Sequence, residues 1–178
     1  MAATESPAPE ISAVVASFSG EEALGRCLES LAPQAAERGL TVTVDTIPLG
    51  VTGDPDRLLE AITNVVANAI AYNVPEGRVT VTMREHEGLA DVLIADTGVG
   101  ISPSDLGLVF DPFFRADHAR TRDAGGAGLG LTLTRSIIER HGGRVVCTSE
   151  HGTGTVFTLR LPFATNQIEE LALSVDPR

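Results

Sequence analysis

Residues 90–100 read Ala90-Asp91-Val92-Leu93-Ile94-Ala95-Asp96-Thr97-Gly98-Val99-Gly100, an apolar run ending on a carboxylate and two glycines. Apolar residues bounded by turn formers predict a strand over Ala90–Asp96. A second strand, Arg78 to His86, precedes it across a tight turn at Glu87-Gly88. Beyond it, Gly98 to Gly126 shows no sustained periodicity. A stretch of ~29 residues is too long for an idle connection in a compact domain and reads as a functional lid or a disordered segment.

Further out, helices and strands alternate. Ala23, Leu24, Cys27, Leu28, Leu31 and Ala35 recur at helical spacing between Gly20 and Arg38, with Ser19 as a possible cap. Leu40 to Asp45 alternates like a strand. Asp54-Pro55 opens a second helix, because Asp accepts from free amides and Pro loses nothing at the first helical position. That helix turns Leu58, Leu59, Ile62, Val65, Val66, Ala69 and Ile70 to a core and stops near Asn73 and Pro75. Leu129 to His141 is a third helix, ended by Gly142-Gly143, and Arg144–Ser149 pairs with Thr155–Leu161 as a hairpin. Residues 1–19 are expected to be a tail or linker and 164–178 a second tail, with a possible helical turn at Gln167–Leu173.

With 178 residues, 43% of them hydrophobic and 21% charged, the chain has the composition of one globular domain. A net charge of −11 argues against a nucleic-acid role. Met1 to Glu10 is polar and acidic, and no run approaches the ~20 apolar residues of a membrane helix. The expected location is the cytoplasm, either free or as the cytoplasmic part of a membrane-bound sensor whose membrane segment lies elsewhere, with no membrane contact by this segment. Cys27 and Cys147 each lie in apolar surroundings and read as reduced, buried thiols. All thirteen basic residues are arginine, so any side-chain cation gripping a phosphate must be Arg.

Three constellations can carry chemistry. Asn64 and Asn68 sit four apart, hence close together on one helix face. They suit plain surface, or neutral oxygen ligands for Mg²⁺ beside substrate phosphates. Asp96 before Gly98 and Gly100 is either a simple turn or a carboxylate accepting from the amino group of a base. Gly125-Gly126-Ala127-Gly128-Leu129-Gly130-Leu131 is a flexible loop, or exposes free amides at the positive end of a helix for phosphate oxygens. Its spacing is not that of the dinucleotide fingerprint, and a Walker loop would need the absent lysine.

In this order and at these separations the three resemble the N box and the two glycine boxes of the GHKL ATPase superfamily. Phe110-Asp111-Pro112-Phe113-Phe114-Arg115 resembles the F box of sensor histidine kinases, and His141-Gly142-Gly143 and the terminal Gly152-Thr153-Gly154-Thr155-Val156-Phe157 with Leu161-Pro162 match that family too. The resemblance covers about residues 20–163. It implies the Bergerat/GHKL fold, an α/β (α+β) two-layer sandwich whose mixed, mostly antiparallel sheet is covered on one face by three helices. The ATP lid would span about 102–127.

By that similarity Asn68 would hold Mg²⁺ with Asn64 beside it, and Asp96 would accept from the adenine amino group, with Thr155 nearby through water. Gly98 and Gly100 would line the base and Tyr72 would approach the nucleotide. Ile101, Phe110, Leu129 and Leu131 would complete the ATP wall, and Gly126, Gly128 and Gly130 would anchor the lid near the phosphates. Arg115 would face the γ-phosphate or the partner's phosphohistidine site. Hydrolysing relatives carry a glutamate base where Asn64 stands; an amide cannot take that proton, so Asn64 favours phosphoryl transfer. One departure is Ala71, where many members have a phosphate-contacting lysine; Arg120 and Arg122 are either its replacements or plain surface charge.

None of His86, His118, His141 and His151 lies in the family's phosphoacceptor motif. The implied partner is thus a phosphoacceptor-histidine dimerisation domain, in cis or in trans, and through it a response regulator. The catalytic domain alone is expected to be a monomer. The alternatives are an anti-sigma-factor-like serine kinase and a nucleotide-sensing module without catalysis.

Overall fold

The computed structural model of the chain describes residues 16–17, 20–47, 49–116 and 127–162. Two layers form it. Five strands make one sheet: β2 (Thr41–Asp45), β4 (Arg78–His86), β5 (Leu89–Asp96), β6 (Arg144–Glu150) and β7 (Gly154–Pro162), in the order β2-β4-β5-β7-β6. Among the described strands of this sheet, β2 and β4 alone are parallel and the other neighbouring pairs are antiparallel. The helices α1 (Gly20–Glu37), α2 (Pro55–Ala71) and α3 (Gly130–Arg140) form the second layer, with α2 touching both other helices and the sheet. A minor pair, β1 (Ala16–Ser17) with β3 (Thr52–Gly53), stands apart from the main sheet. The expected architecture is the one observed.

Alternation along the strands decides which face is covered. Val79, Val81 and Met83 on β4, Ala90, Val92 and Ile94 on β5, and Phe157, Leu159 and Leu161 on β7 are all buried against the helices. Helix α2 answers with Leu58, Ala61, Ile62, Val65, Val66, Ala69 and Ile70, all buried. Fully burying an aliphatic side chain contributes about 1.5–3 kcal/mol, so this stripe is the main reason α2 stays on the sheet. The Asp54 carboxylate starts it, accepting from the Asp56 and Arg57 amides at 3.0 and 3.2 Å.

The opposite face of the sheet carries an ion pair whose carboxylate is buried under a partly exposed guanidinium. Asp91 is fully buried, and Arg160 meets it with two parallel bonds, Nε to Oδ1 at 2.7 Å and a second guanidinium nitrogen to Oδ2 at 2.8 Å. The pair straddles β5 and β7, whose register sets Asp91 opposite Arg160.

His141 ties two helix ends together. Its Nδ1 lies 2.7 Å from the Ile137 carbonyl, and its Nε2 accepts from the Asp54 amide at 3.0 Å. A carbonyl cannot donate, so the proton resides on Nδ1. Gly53 makes room: a Cβ there would meet the imidazole Cδ2 at 2.4 Å. Replacing the ring by His141→Leu leaves both backbone groups without it, and should lower unfolding free energy by about 1 kcal/mol in urea titration. No change would show that water replaces the ring at no cost.

Among the described residues, no helix is long and apolar enough to cross a membrane. Both thiols are free, Cys27 buried and Cys147 partly buried; burial pushes the Cys27 thiol up. Within the expected N-terminal tail, Ala16–Ser17 is not free but pairs with Thr52–Gly53 as β1; the rest of residues 1–19, the C-terminal tail with its Gln167–Leu173 turn, and Gly125, Gly126, His118, Arg120 and Arg122 lie outside the described residues.

A candidate nucleotide site between α2, α3 and the sheet end

A cavity of about 350 Å³ opens where β5 ends and β7 begins, beneath α2 and α3. Its wall takes Asn64 and Asn68 from α2, Tyr72 from the cap that ends it, Asp96 from β5, Gly100 and Ile101 beyond it, and Thr155 from β7. Arg115 and, at the start of α3, Gly128, Leu129, Gly130 and Leu131 line it as well. Nearly every residue singled out from the sequence therefore converges on one space. Phe114, Ala127 and Phe157 also line it from within the F box, the glycine box and the terminal motif, and Val109 joins them as an apolar neighbour that no motif marked.

At the floor, register builds the polar row. Asp96 stands opposite Thr155, and Thr155 opposite Ser149, with all three side chains on the helix-covered face. The Asp96 carboxylate accepts from the Gly98 amide at 2.8 Å. Burial nevertheless pushes its pKa up from 3.8 to about 6, against the opposing pull of the Gly98 and Thr155 amides. Its charge reaches Cys147: burial first, and the Asp96 carboxylate second, push that thiol up to about 12.

Backbone approaches too close for a side chain hold this floor in place. Gly100, at φ 65°, would drive a Cβ to 2.1 Å from the Glu150 carbonyl oxygen. Gly154 would place one 2.0 Å from the Asp96 carbonyl oxygen. The loop after β5 is thereby stitched to the β6–β7 hairpin, through Gly152 N–H to the Val99 carbonyl at 2.8 Å and Ile101 N–H to Ser149 Oγ at 2.8 Å.

Gly98 does not line the cavity; its amide holds the Asp96 carboxylate, and a Cβ there would strike the Tyr72 carbonyl at 2.4 Å. Phe110 turns away as well: its ring meets Phe157 edge-on at 6.2 Å, under the Arg135 guanidinium at 5.6 Å. Phe114 faces the cavity, whereas Phe113 is 72% exposed at φ 65°, its amide bonded to the Gly128 carbonyl at 3.0 Å. The three phenylalanines thus have three separate tasks. Asn73, marked in the sequence only as a helix stop, is buried and carries the loop between α2 and β4: its amide nitrogen bonds the Ala69 and Arg78 carbonyls at 3.1 and 3.0 Å. Arg38 bonds the Ala71 carbonyl at 3.0 Å without lining the cavity.

What can this space hold? Its donors and acceptors separate into a carboxylate and a hydroxyl at the sheet end, and two carboxamides plus glycine backbone at the helix end. Asn64 Nδ2 reaches the Gly130 carbonyl at 3.5 Å, which links the carboxamide pair to the start of α3. Among the described residues no group of three His, Cys, Asp or Glu side chains could hold a metal by itself. A Mg²⁺ ion fits only as the companion of bound phosphates, with neutral amide oxygens and water as its other ligands.

Residues 53–165 match the family model described as histidine kinase-, DNA gyrase B-, and HSP90-like ATPase. Sensor protein SrrB of Staphylococcus aureus is 42% identical over 130 residues, covering 72% of this chain and 22% of that protein. The chain thus spans about a fifth of the length of such curated relatives. The mycobacterial sensor histidine kinase MprB superposes with a TM-score of 0.72 at 32% identity, covering 81% of this chain and 95% of that one. Full-length ShkA in complex with AMPPNP gives a TM-score of 0.76 at 28% identity, covering 89% of this chain and 33% of that one. With its sheet, helix layer and cavity in place, the chain belongs to the histidine kinase-, gyrase B- and HSP90-like ATPases, as an ATP-binding catalytic domain of the sensor histidine kinase kind.

Proposed function

We propose that this domain transfers the γ-phosphoryl group of Mg-ATP to a histidine on a separate dimerisation and phosphoacceptor domain, which in turn serves a response regulator. The observation that carries the reading is the polarity of the cavity: an acceptor row at one end and amides with glycine backbone at the other. Asp96 takes the adenine amino group. Gly128 and Gly130 leave room for phosphates at the start of α3, where backbone amides and the helix dipole favour negative charge. Arg115 balances charge on the transferred group, and no lysine is available for that task.

Asn68, with Asn64 beside it, would offer amide oxygens to Mg²⁺, which supplies charge neutralisation across the phosphates when bound. At Asn64 no side chain can deprotonate water, so the nucleophile is the incoming imidazole nitrogen. A P–N bond forms, the bond to the ADP oxygen breaks, and ADP leaves. None of the described histidines takes that place: His141 is spent on structure, His86 ends β4, and His151 sits in the β6–β7 turn. Residues 20–163 form the working unit of this reading.

Incubation with γ-labelled ATP and Mg²⁺, alone and with a histidine-kinase hairpin protein, tests it. Acid-labile label on the hairpin alone is the expected result. Acid-stable label on a serine, or ATP binding with no transfer to any hairpin offered, would overturn it.

A further inference from the structure

We infer that Ser149 governs the base preference of the site by fixing the Thr155 hydroxyl as a hydrogen-bond acceptor. The inference rests on the nucleotide reading above and goes to a residue that does not line the cavity.

Ser149 Oγ has three neighbours. It accepts from the Ile101 amide at 2.8 Å, faces the Gly154 carbonyl at 2.8 Å, and lies 2.9 Å from Thr155 Oγ1. A serine hydroxyl has one proton and two lone pairs. The Gly154 carbonyl cannot donate, so the serine proton goes there. One lone pair is taken by the Ile101 amide. Only the second lone pair remains for Thr155, and the contact between the hydroxyls therefore runs from threonine to serine. The Thr155 proton is spent inside the wall, while its oxygen lone pairs remain for the cavity that Thr155 lines.

Thr155 stands opposite Asp96 in the β5–β7 ladder, and an ionised Asp96 is also an acceptor without a proton to give. The sheet end therefore presents two adjacent acceptors and no donor from this pair. That edge suits a purine with a 6-amino group and sets two lone-pair bearers against a 6-oxo group. Polar sites reject an unmatched partner more strongly than apolar ones do, because the group left unpaired is buried; Thr155 is 5% exposed. Asp96 repels a 6-oxo base by itself, whereas the share carried by Thr155 exists only while Ser149 holds its proton.

Titration calorimetry of the full chain with Mg-ATP and with Mg-ITP, its 6-oxo analogue, measures the preference as a ratio of dissociation constants. In Ser149→Ala the Thr155 proton is released and can turn to a 6-oxo group, so the ratio should narrow about tenfold, the worth of one neutral hydrogen bond. ATP affinity itself should fall less, and Ser149→Thr, which keeps the hydroxyl, should retain the wild-type ratio. Thr155→Val leaves the serine in place and removes the acceptor; it should weaken ATP and spare ITP, and it carries the test if Ser149→Ala does not fold. An unchanged ratio in folded Ser149→Ala, or equal losses for both nucleotides, overturns the inference and reduces Ser149 to a structural link. A wild-type chain that binds no ATP at all is a different result and sinks the nucleotide reading itself.

Discussion

Asp96→Asn is expected to bind ATP about 10- to 150-fold more weakly than wild type, the loss of about 1.5–3 kcal/mol that accompanies removal of a charged acceptor. The same substitution should make the free domain more stable at neutral pH. The folded carboxyl has its pKa pushed up to about 6 from an ordinary 3.8, so between those values the folded chain binds the proton more tightly than the unfolded one. Stability through this group is therefore highest below the lower value, falls as pH rises through about 6, and stays low above it. An amide neither titrates nor suffers that desolvation, and its oxygen can still accept from the Gly98 amide. Thermal melts of both proteins should converge near pH 4 and separate in favour of the variant near pH 7.5, while calorimetry at the higher pH reads the lost affinity. Unchanged affinity would remove Asp96 from the base site, and an unstable variant would show that the carboxylate serves the fold.

The second large effect lies on the other face of the same strand. Arg160→Leu strips the partner from a carboxylate with no exposed surface. Removing one member of a buried pair leaves the other charge uncompensated, so the melting temperature should drop by on the order of 10 °C. Leucine at both positions removes the desolvated charge together with its partner, and the double variant should recover most of the loss. Side chains at 91 and 96 point to opposite faces, so ATP affinity in whatever folded fraction remains should be unchanged. A drop in affinity matching the drop in stability would show that the two faces are coupled through β5.

Local signals in the sequence account for the elements. The Asp54-Pro55 start of α2, the Glu87-Gly88 turn and the alternation of β4, β5 and β7 all depend on neighbours within a few residues, and the strands and helices lie within a residue or two of their expected bounds. β1 and β3 have two residues each, too few to show a period. The parallel pairing of β2 with β4 joins residues 37 apart, as in Thr41 with Arg78, and periodicity says nothing about such a partner. In the site, the residues marked by motif converge because motifs report backbone demands and charged groups. What escaped notice acts across the chain: His141 reaches Asp54, Ser149 reaches Ile101, and Asn73 reaches Thr97. A histidine, a serine and an asparagine carry no local mark of such long-range bonds. Phe110 shows the reverse case, a motif residue whose ring serves packing on Phe157.

The row Asp96, Thr155 and Ser149 is drawn from three strands, and Asn64 and Asn68 hang over it from a helix formed earlier in the chain. No part of the chain owns the site, so a ligand can recognise it only after β5, β7 and β6 have paired. Occupancy of the cavity then acts as a proofreader of assembly: at a hundred times its dissociation constant, a nucleotide adds about 2.7 kcal/mol to the completed sheet and nothing to a chain that stops short. A lesion in the hairpin, far along the chain from the asparagines, would erode that bonus, and the survival of the domain would come to depend on how well the cell is supplied with energy.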